Sequence, residues 1–378
     1  MLPGIPSKKA NFKCFSAERY FDVFVLGKKM YALYSHADMP IQGAPSFLKC
    51  IDLEGFEGDF DSQPCCYEAN VTGLRSICPG SNVLMISGWK PEVLALDGFS
   101  SIYSEADRKM NPEWDDYGWA YYWGGKVYRG SDVSSLYKDI DIIDIKEQRV
   151  SSCLRLDIGY SKDWQGSLIF GERRSGNFLV YCLDRGMPVL DVSLAKYRQA
   201  FPDKSIIAFI ETDLAYVLIA DHLLVFDLVT AELVREVNYF NCPAMQAHMH
   251  AESMDANWAC AGRLSVCNGE VVLSHAGVGG YSLYLAPFRD EPFVWLWSTG
   301  RGVIAKNHPG DLVFGLSGSI PMAWDKHTGE VVWDTKKPTA TSKIAVGDQW
   351  VVFSQTAEYI QGHHWKKPYI SPHRPAEE

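Results

Sequence analysis

Short stretches of alternating apolar and polar residues run through most of the chain, and turns rich in Gly and Asp separate them. Alternation with a period of two is typical of half-buried β-strands. Amphipathic helical spacing is almost absent, and residues 193–201 are the one short helical candidate. The pattern therefore predicts an all-β protein.

The stretches group into a repeating unit of several strands joined by tight turns. The most complete units lie at residues 207–236, 264–297 and 304–333. Weaker units lie at residues 23–54, 83–104, 120–145 and 167–184, and a partial unit lies at residues 341–361. The second strand recurs roughly every 40 to 55 residues, which is the period of four-stranded propeller blades. Residues 1–378 are therefore predicted to form a single β-propeller of seven or eight four-stranded blades.

The partial unit near the C-terminus needs a further strand, and residues 11–16 could supply it. Joining both ends of the chain in one blade would protect the last sheet edge of the ring. We therefore expect ring closure by N- and C-terminal strands, with residues 366–378 as a flexible tail.

The charge of the chain bears on its partners. A formal net charge of −10 argues against general nucleic-acid binding, which needs a basic face. It favours simple solubility or a basic protein partner. The sequence has no apolar run of about 18 residues, so we expect no membrane span, and its N-terminus has no signal-peptide pattern. We expect a cytoplasmic protein whose ten cysteines are mostly reduced.

One turn resembles the repeat of the quinoprotein, or PQQ-type, propeller superfamily. In that family a strand ending near Asp leads through a Thr-Gly turn into a strand that closes on Trp. Asp325, Thr328, Gly329 and Trp333 match this repeat. The Asp and Thr side chains can bond the turn backbone, Gly accepts a positive φ, and Trp packs between blades. The resemblance implies the propeller fold.

Other units keep only part of this repeat. The unit at residues 207–236 has Asp227 and Thr230, but Ala231 stands where the turn Gly would be. The Gly-His and Trp-Asp signature of WD repeats does not recur. Quinoprotein dehydrogenases use an adjacent-cysteine disulfide beside the quinone, and Cys65-Cys66 could imitate it. The alternative is a pair of reduced cysteines in a loop, and we expect no cofactor.

The histidines leave an enzyme hypothesis open. His248 and His250 could point to one face of a strand, with Glu252 or Asp255 as further metal ligands. The alternative is a polar loop between the fifth and sixth units. His363-His364 is interpreted as an exposed loop. No GxSxG, P-loop or HExxH pattern occurs, so we predict a protein that is not an enzyme and binds no metal.

Two acidic and aromatic stretches interrupt the blade pattern, at residues 54–62 and 111–123. Loops on a rigid scaffold often carry binding function, and aromatic anchors ringed by charge are typical of interfaces. The alternating Trp119, Tyr121 and Trp123 fit blade core equally well. The residues predicted to contact a partner are Glu57, Asp59, Asp61, Glu113, Trp114, Asp115, Asp116 and Tyr117.

These features favour a non-enzymatic binding protein. In overall character the chain resembles the cytoplasmic bacterial immunity proteins of polymorphic or secreted toxin systems. That resemblance implies one protein partner, a basic toxin or effector domain such as a nuclease, which the propeller would bind and occlude. The alternatives are a metal- or quinone-dependent enzyme with a site at the propeller axis, and a scaffold propeller with several partners.

Overall fold

The described residues of a computed structural model form a ring of eight blades. They are residues 2–15, 19–35, 46–56, 62–69, 76–80, 82–87, 91–104, 118–131, 139–147, 149–159, 163–298, 303–318, 320–335, 343–355 and 359–374. Within these ranges the strands pair into eight antiparallel four-stranded sheets. The predicted β-propeller is therefore confirmed, and the blade number is eight.

The first strand of the chain, β1 (Phe12–Phe15), belongs to the last blade. Blade 1 consists of β2 (Arg19–Leu26), β3 (Lys29–Ser35), β4 (Ser46–Asp52) and β5 (Tyr67–Ala69), and blade 2 of β6 (Ser76–Pro79), β7 (Val83–Ser87), β8 (Glu92–Ala95) and β9 (Ser101–Ser104). Blade 3 consists of β10 (Gly118–Trp123), β11 (Lys126–Ser131), β12 (Ile140–Asp144) and β13 (Arg149–Leu154), and blade 4 of β14 (Asp163–Gln165), β15 (Leu168–Glu172), β16 (Asn177–Cys182) and β17 (Met187–Ser193).

Blades 5 to 8 follow the same order. Blade 5 consists of β18 (Ile207–Glu211), β19 (Leu214–Ile219), β20 (His222–Asp227) and β21 (Glu232–Asn238), and blade 6 of β22 (Arg263–Cys267), β23 (Glu270–His275), β24 (Tyr281–Leu285) and β25 (Phe293–Ser298). Blade 7 consists of β26 (Val303–Asn307), β27 (Leu312–Ser317), β28 (Ile320–Asp325) and β29 (Val331–Asp334), and blade 8 of β30 (Lys343–Val346), β31 (Trp350–Gln355) and β32 (Tyr359–His364), together with β1. The described helices are α1 (Ala195–Arg198), α2 (Pro243–Ala251) and α3 (Ala256–Ala259).

The first strand of each blade lies towards the axis and the fourth lies at the rim. First strands of neighbouring blades contact one another, as β18 contacts β22 and β2 contacts β30. Fourth strands are far more exposed, and β13 leaves five of its six residues exposed. Polar side chains on first strands accept a backbone N–H from the next blade: Asp22 from Ile77, Gln165 from Ile210 and Ser265 from Asn307.

The last blade combines strands from the two ends of the sequence. β1 pairs with β32, with Phe12 opposite Gly362. The Phe12 ring lies where a Cβ of residue 362 would stand, and only 2% of Phe12 is exposed. Because β1 covers the edge of the last blade, closure buries apolar surface and satisfies the backbone groups of β32.

Fourth strands of blades 2 to 7 share a device that the sequence did not reveal. Each carries one extra residue where its register to the third strand shifts. The extra residues are Ile102, Ser151, Val189, Val234, Val294 and Val332. Such bulges bend and twist an edge strand, which hinders pairing with another chain.

The turn around Asp325 has the chemistry that the repeat predicted. Asp325 Oδ1 accepts the backbone N–H of His327 at 2.8 Å and of Thr328 at 3.1 Å. Gly329 has a φ of +73°, and a Cβ there would lie 2.7 Å from Trp295. Trp333 is 2% exposed and packs in the core that blade 7 shares with blade 8. Each matched residue therefore has the expected structural role.

The two sides of the ring differ in their connections. We call the side with the turns between first and second and between third and fourth strands the turn face. The connection face holds the turns between second and third strands and the links between blades. The described segments before β1 and after β32 lie on the turn face, where Ser7 N donates to His364 O at 3.0 Å.

The first part of the predicted tail packs against the turn face. Tyr369 Oη donates to Asp325 Oδ2 at 2.7 Å, and Ser371 N donates to Asp311 Oδ2 at 2.9 Å. The prediction of an exposed loop at His363-His364 is wrong, because both residues belong to β32. His363 is 1% exposed, and its Nδ1 lies 2.8 Å from Ser7 O.

No helix among the described residues is long and apolar enough to span a membrane. The alternating aromatics after residue 118 lie in β10, as their pattern indicated. Trp119 is 9% exposed, and the Tyr121 ring stacks on Trp164 with centroids 4.6 Å apart. These side chains therefore build the core between blades 3 and 4.

Candidate protein-binding surface

The predicted contact residues lie outside the described residues, so they remain predictions. These are Glu57, Asp59, Asp61, Glu113, Trp114, Asp115, Asp116 and Tyr117. The described residues next to these stretches can be placed on the ring. Phe56 and Ser62 lie between β4 and β5, on the turn face, whereas Ser104 and Gly118 end β9 and begin β10 on the connection face. The described residues that flank the two stretches therefore lie on opposite faces of the ring.

The longest connection between consecutive described strands lies on the connection face, between blades 5 and 6. We call its residues, 239–262, the platform. It contains a 3-10 turn at Tyr239–Asn241, then α2 and α3. Pro243 begins α2, where its missing N–H costs nothing. Asp255 caps α3, because its Oδ1 accepts the N–H of Trp258 at 2.9 Å.

Two buried tyrosines fasten the platform to the ring. Tyr239 Oη donates to Ala220 O at 2.7 Å and accepts the N–H of Ala261 at 2.8 Å. Tyr281 Oη donates to Ala259 O at 2.7 Å. Burial raises the pKa of both phenols, so both remain hydrogen-bond donors. Because these bonds hold both ends of the platform, its backbone is well positioned.

The strand predicted for His248-Met249-His250 is wrong, because these residues lie in α2. Residues two apart on a helix point to nearly opposite sides. His248 is accordingly buried, with Nε2 2.7 Å from Gly279 O, whereas His250 is exposed. The two imidazoles therefore cannot share one metal ion. Within the described residues no group of three or more His, Cys, Asp or Glu side chains could hold a metal.

The Gly-rich segment after β23 lets the platform approach the ring. It joins β23 to β24. A Cβ on Gly277 would lie 2.6 Å from His275 Nε2, and one on Gly279 would lie 2.6 Å from Met254 Sδ. Gly279 also has a φ of +71°. Glycine is therefore required here by close packing and by backbone conformation.

The platform presents one large aromatic side chain to solvent. Trp258 is 53% exposed, and its Nε1 donates to the carbonyl of Val278, which is 77% exposed. Beneath Trp258 lies the His275 ring at 5.9 Å, which stacks on buried Tyr281 at 5.8 Å. Burial lowers the pKa of His275, so the neutral ring is favoured in this stack. We call Trp258 and Val278 the Trp258 patch.

This arrangement suits recognition of another protein. An indole that is half exposed yet fixed by a hydrogen bond and ring contacts has little conformational entropy to lose on binding. Tryptophan is also enriched among residues that dominate interface energy. Exposed Glu252 and Asp255 precede Trp258 in the platform. The patch therefore combines an apolar anchor with nearby negative charge.

The platform was missed by the sequence interpretation, although weak signals for it exist. Asp255 stands three residues before Trp258, which is the spacing of a helix N-cap. Pro243 fits the first position of a helix. The helices are short, and α2 has only two buried residues, Met245 and His248, so no clear apolar periodicity marks it.

The adjacent cysteines do not fit a quinone site at the axis. Cys65 and Cys66 are free and precede β5, which is the rim strand of blade 1. A pair at the rim cannot flank a group bound at the centre of the ring. These cysteines therefore resemble the quinoprotein pair in being adjacent in the sequence, but not in their place in the fold.

Comparison with family models finds no match to this sequence, and comparison with curated proteins finds none either. Solved structures do match. The computationally designed protein Ika8 is similar with a TM-score of 0.62 and 11% identity, over 94% of this chain and 100% of that one. BamB from Moraxella catarrhalis, a PQQ-like repeat propeller, is similar with a TM-score of 0.60 and 12% identity, over 94% and 99%.

The WD40 propeller domain of Doa1 is also similar, with a TM-score of 0.50 and 10% identity, over 95% of this chain and 97% of that one. At such low identity these likenesses define the fold alone. The chain is a β-propeller with PQQ-like and WD40-like relatives in structure, a fold that often binds proteins.

Proposed function

We propose that this propeller is a non-enzymatic protein that binds one protein partner through its connection face. The observation that carries the proposal is the Trp258 patch. It lies on a platform that hydrogen bonds tie to two blades, and it exposes an indole that the core of the platform does not need. Pre-organised aromatic anchors of this kind contribute most of the free energy in many interfaces.

Within this class we propose an immunity protein that occludes a basic toxin domain, such as a nuclease. The net charge of −10 supports a basic partner, since opposite charges raise the association rate. Exposed Glu252 and Asp255 place negative charge on the platform itself. The resemblance in overall character to cytoplasmic bacterial immunity proteins is the reason for proposing an immunity protein in particular.

The described residues that flank the two acidic stretches lie on different faces of the ring. Residues 113–117 are flanked by Ser104 and Gly118, which lie on the connection face, whereas residues 57–61 are flanked by turn-face residues. A partner seated on the connection face would be steered mainly by the first of these two sets. We therefore propose Glu113, Asp115 and Asp116 as steering residues for that partner.

A paired set of charge variants tests the steering residues. One variant carries Glu113→Gln, Asp115→Asn and Asp116→Asn; the matched control carries Glu57→Gln, Asp59→Asn and Asp61→Asn. We expect the first to slow association about tenfold at low salt, with the difference vanishing at high salt because the charges are screened. The control is expected to stay within about twofold of the wild type. An equal effect of both variants would argue against a partner on one face.

Affinity capture from source-cell extracts tests the proposed function as a whole. The bait is tagged wild-type protein, Trp258→Ala or Phe288→Ala. Phe288 is a matched control because it is 47% exposed but lies between the third and fourth strands of blade 6, on the turn face. We expect one basic partner at one-to-one stoichiometry with the wild type and Phe288→Ala, and its loss with Trp258→Ala. Several partners, or equal capture by all three baits, would contradict the proposal.

A further inference from the structure

Three cysteines of blade 1 lie together at its rim. Cys50 belongs to β4, and the adjacent pair Cys65-Cys66 precedes β5. Cys66 N donates to Leu48 O at 2.8 Å, which brings Cys66 alongside β4. Strand pairing thus brings together thiols that are fifteen and sixteen positions apart in the sequence. The sequence alone showed only the adjacent pair.

The sulfur of Cys66 faces Cys50. It lies 3.3 Å from Cys50 N and 4.0 Å from Cys50 O. Because an N–Cα bond is about 1.5 Å long, this sulfur lies within about 5 Å of the Cα of Cys50. In a disulfide each sulfur lies close to the backbone of the other cysteine, and the Cys50 thiol is already near enough to Cys66 for the two to interact electrostatically, so this pair is within reach of a bond.

Cys65 has different surroundings. Its side chain is exposed, and its Sγ lies 3.1 Å from Tyr67 O and 3.6 Å from Leu48 O. A bond between adjacent cysteines would also have to close a strained eight-membered ring through their shared peptide. Geometry therefore favours Cys66 with Cys50 over Cys66 with Cys65.

The two thiols of the favoured pair have unequal reactivity. Burial raises the pKa of Cys50, and the neighbouring Cys66 adds to this rise. The buried Tyr31 hydroxyl is also hydrogen bonded to Cys50. Cys50 and Cys66 are both partly buried, so a small oxidant can reach either thiol. Because its raised pKa lowers its thiolate fraction, Cys50 is less suited to attack peroxide, so Cys66 is assigned the first step and Cys50 the second.

We propose that Cys50 and Cys66 form a reversible disulfide when the protein meets hydrogen peroxide. The Cys66 thiolate attacks one peroxide oxygen, the O–O bond breaks, and the departing hydroxide takes a proton to become water. Cys66 is then a sulfenic acid. The Cys50 thiolate attacks that sulfur, forms the S–S bond and displaces a second hydroxide, which becomes water. Two thiols have then given two electrons to one peroxide molecule.

The bond would close a loop in the chain from residue 50 to residue 66. Closing a loop restricts the unfolded chain and stabilises the fold, so the melting temperature should rise on oxidation and fall back with a thiol reductant. Glu57, Asp59 and Asp61 lie between the two cysteines in the sequence. The proposal does not depend on the proposed function, because its test needs no partner.

Thiol counting and peptide mapping test the pair. The full chain is treated with hydrogen peroxide, its free thiols are counted, and it is digested without reductant by a protease that cleaves after Glu. Cleavage after Glu54 or Glu57 separates Cys50 from Cys66. We expect two of the ten cysteines to lose their thiols, with the Cys50 and Cys66 fragments linked.

Because the protease does not cleave between Cys65 and Cys66, single variants are needed to show which of the two is linked to Cys50. The link is expected to persist in Cys65→Ser and to be absent in Cys66→Ser and Cys50→Ser. The melting temperature should rise on oxidation of the wild type and Cys65→Ser only. A bond between Cys65 and Cys66, a disulfide between two chains, or unchanged thiols would each overturn the proposal.

Discussion

The turn face and the connection face of the ring are built in different ways. On the turn face the polar groups of the blade 7 turn serve the fold: Asp325 is 2% exposed and accepts two turn N–H groups and the Tyr369 hydroxyl. On the connection face the platform uses its buried groups for attachment and leaves Trp258 half exposed. The repeat thus provides rigidity, while an insertion into the repeat provides the surface that we propose for recognition.

The turns of blades 5 and 7 sharpen this comparison within one face. Asp227 Oδ1 accepts the N–H groups of Val229 and Thr230, as Asp325 does for its own turn. Asp227, unlike Asp325, is only partly buried. The same turn chemistry therefore stabilises an exposed turn in blade 5 and a sealed one in blade 7.

The largest expected effect is the loss of the sealed turn. Asp325→Ala leaves buried donors of two backbone amides and Tyr369 without an acceptor, so we expect a loss of about 3 kcal/mol in the free energy of unfolding. Asp227→Ala removes only partly exposed turn bonds and should cost about 1 kcal/mol. Urea unfolding of both variants measures the difference. Equal losses would show that the tail does not contribute to the stability of the turn face.

Exchanging glycine and alanine in the turns of blades 7 and 5 should change the free energy of unfolding by a smaller amount. Gly329→Ala places a Cβ against Trp295 at a positive φ, and we expect a loss of about 2 kcal/mol. Ala231 has a φ of +59° and is exposed, so Ala231→Gly should relieve strain and stabilise by up to about 1 kcal/mol. Thermal unfolding compares the two. Destabilisation by Ala231→Gly would mean that unfolded-chain entropy outweighs the strain.

A buried histidine on the turn face gives a pH-dependent effect. Burial lowers the pKa of His308 to about 3, and its Nε2 has no hydrogen-bond partner among the residues that the structure describes. Below the ordinary pKa of about 6.5 the unfolded chain binds a proton that the fold rejects, so the stability present above pH 6.5 is lost on acidification. We expect the His308 contribution to fall by up to about 1.4 kcal/mol per pH unit.

His308→Gln removes this titration and should flatten the stability curve between about pH 6.5 and 5.5, above the range in which ordinary carboxylates titrate. Urea unfolding at several pH values is the measurement. His275→Gln is the matched change near the platform, where burial lowers the pKa to a lesser degree, and it should flatten the curve less. An unchanged slope in His308→Gln would mean that other groups cause the acid sensitivity.

Local repeat chemistry made the fold predictable, because alternation, turn residues and the closing strand at residues 11–16 all depend on neighbouring positions. The bulge at Val234 and its equivalents depends on register between two strands, which one segment does not encode. The platform was missed because α2 has few buried positions. His363 was misplaced because its burial depends on the N-terminal segment that packs over it.

The most direct test of the account is the affinity of the captured partner for three forms of the protein, measured by calorimetry at one salt concentration. We predict that Trp258→Ala weakens binding at least about thirtyfold, which corresponds to about 2 kcal/mol. Phe288→Ala, on the turn face, should stay within about twofold of the wild type. A change of less than twofold in Trp258→Ala, or an equal loss in Phe288→Ala, would contradict a binding site on the connection face.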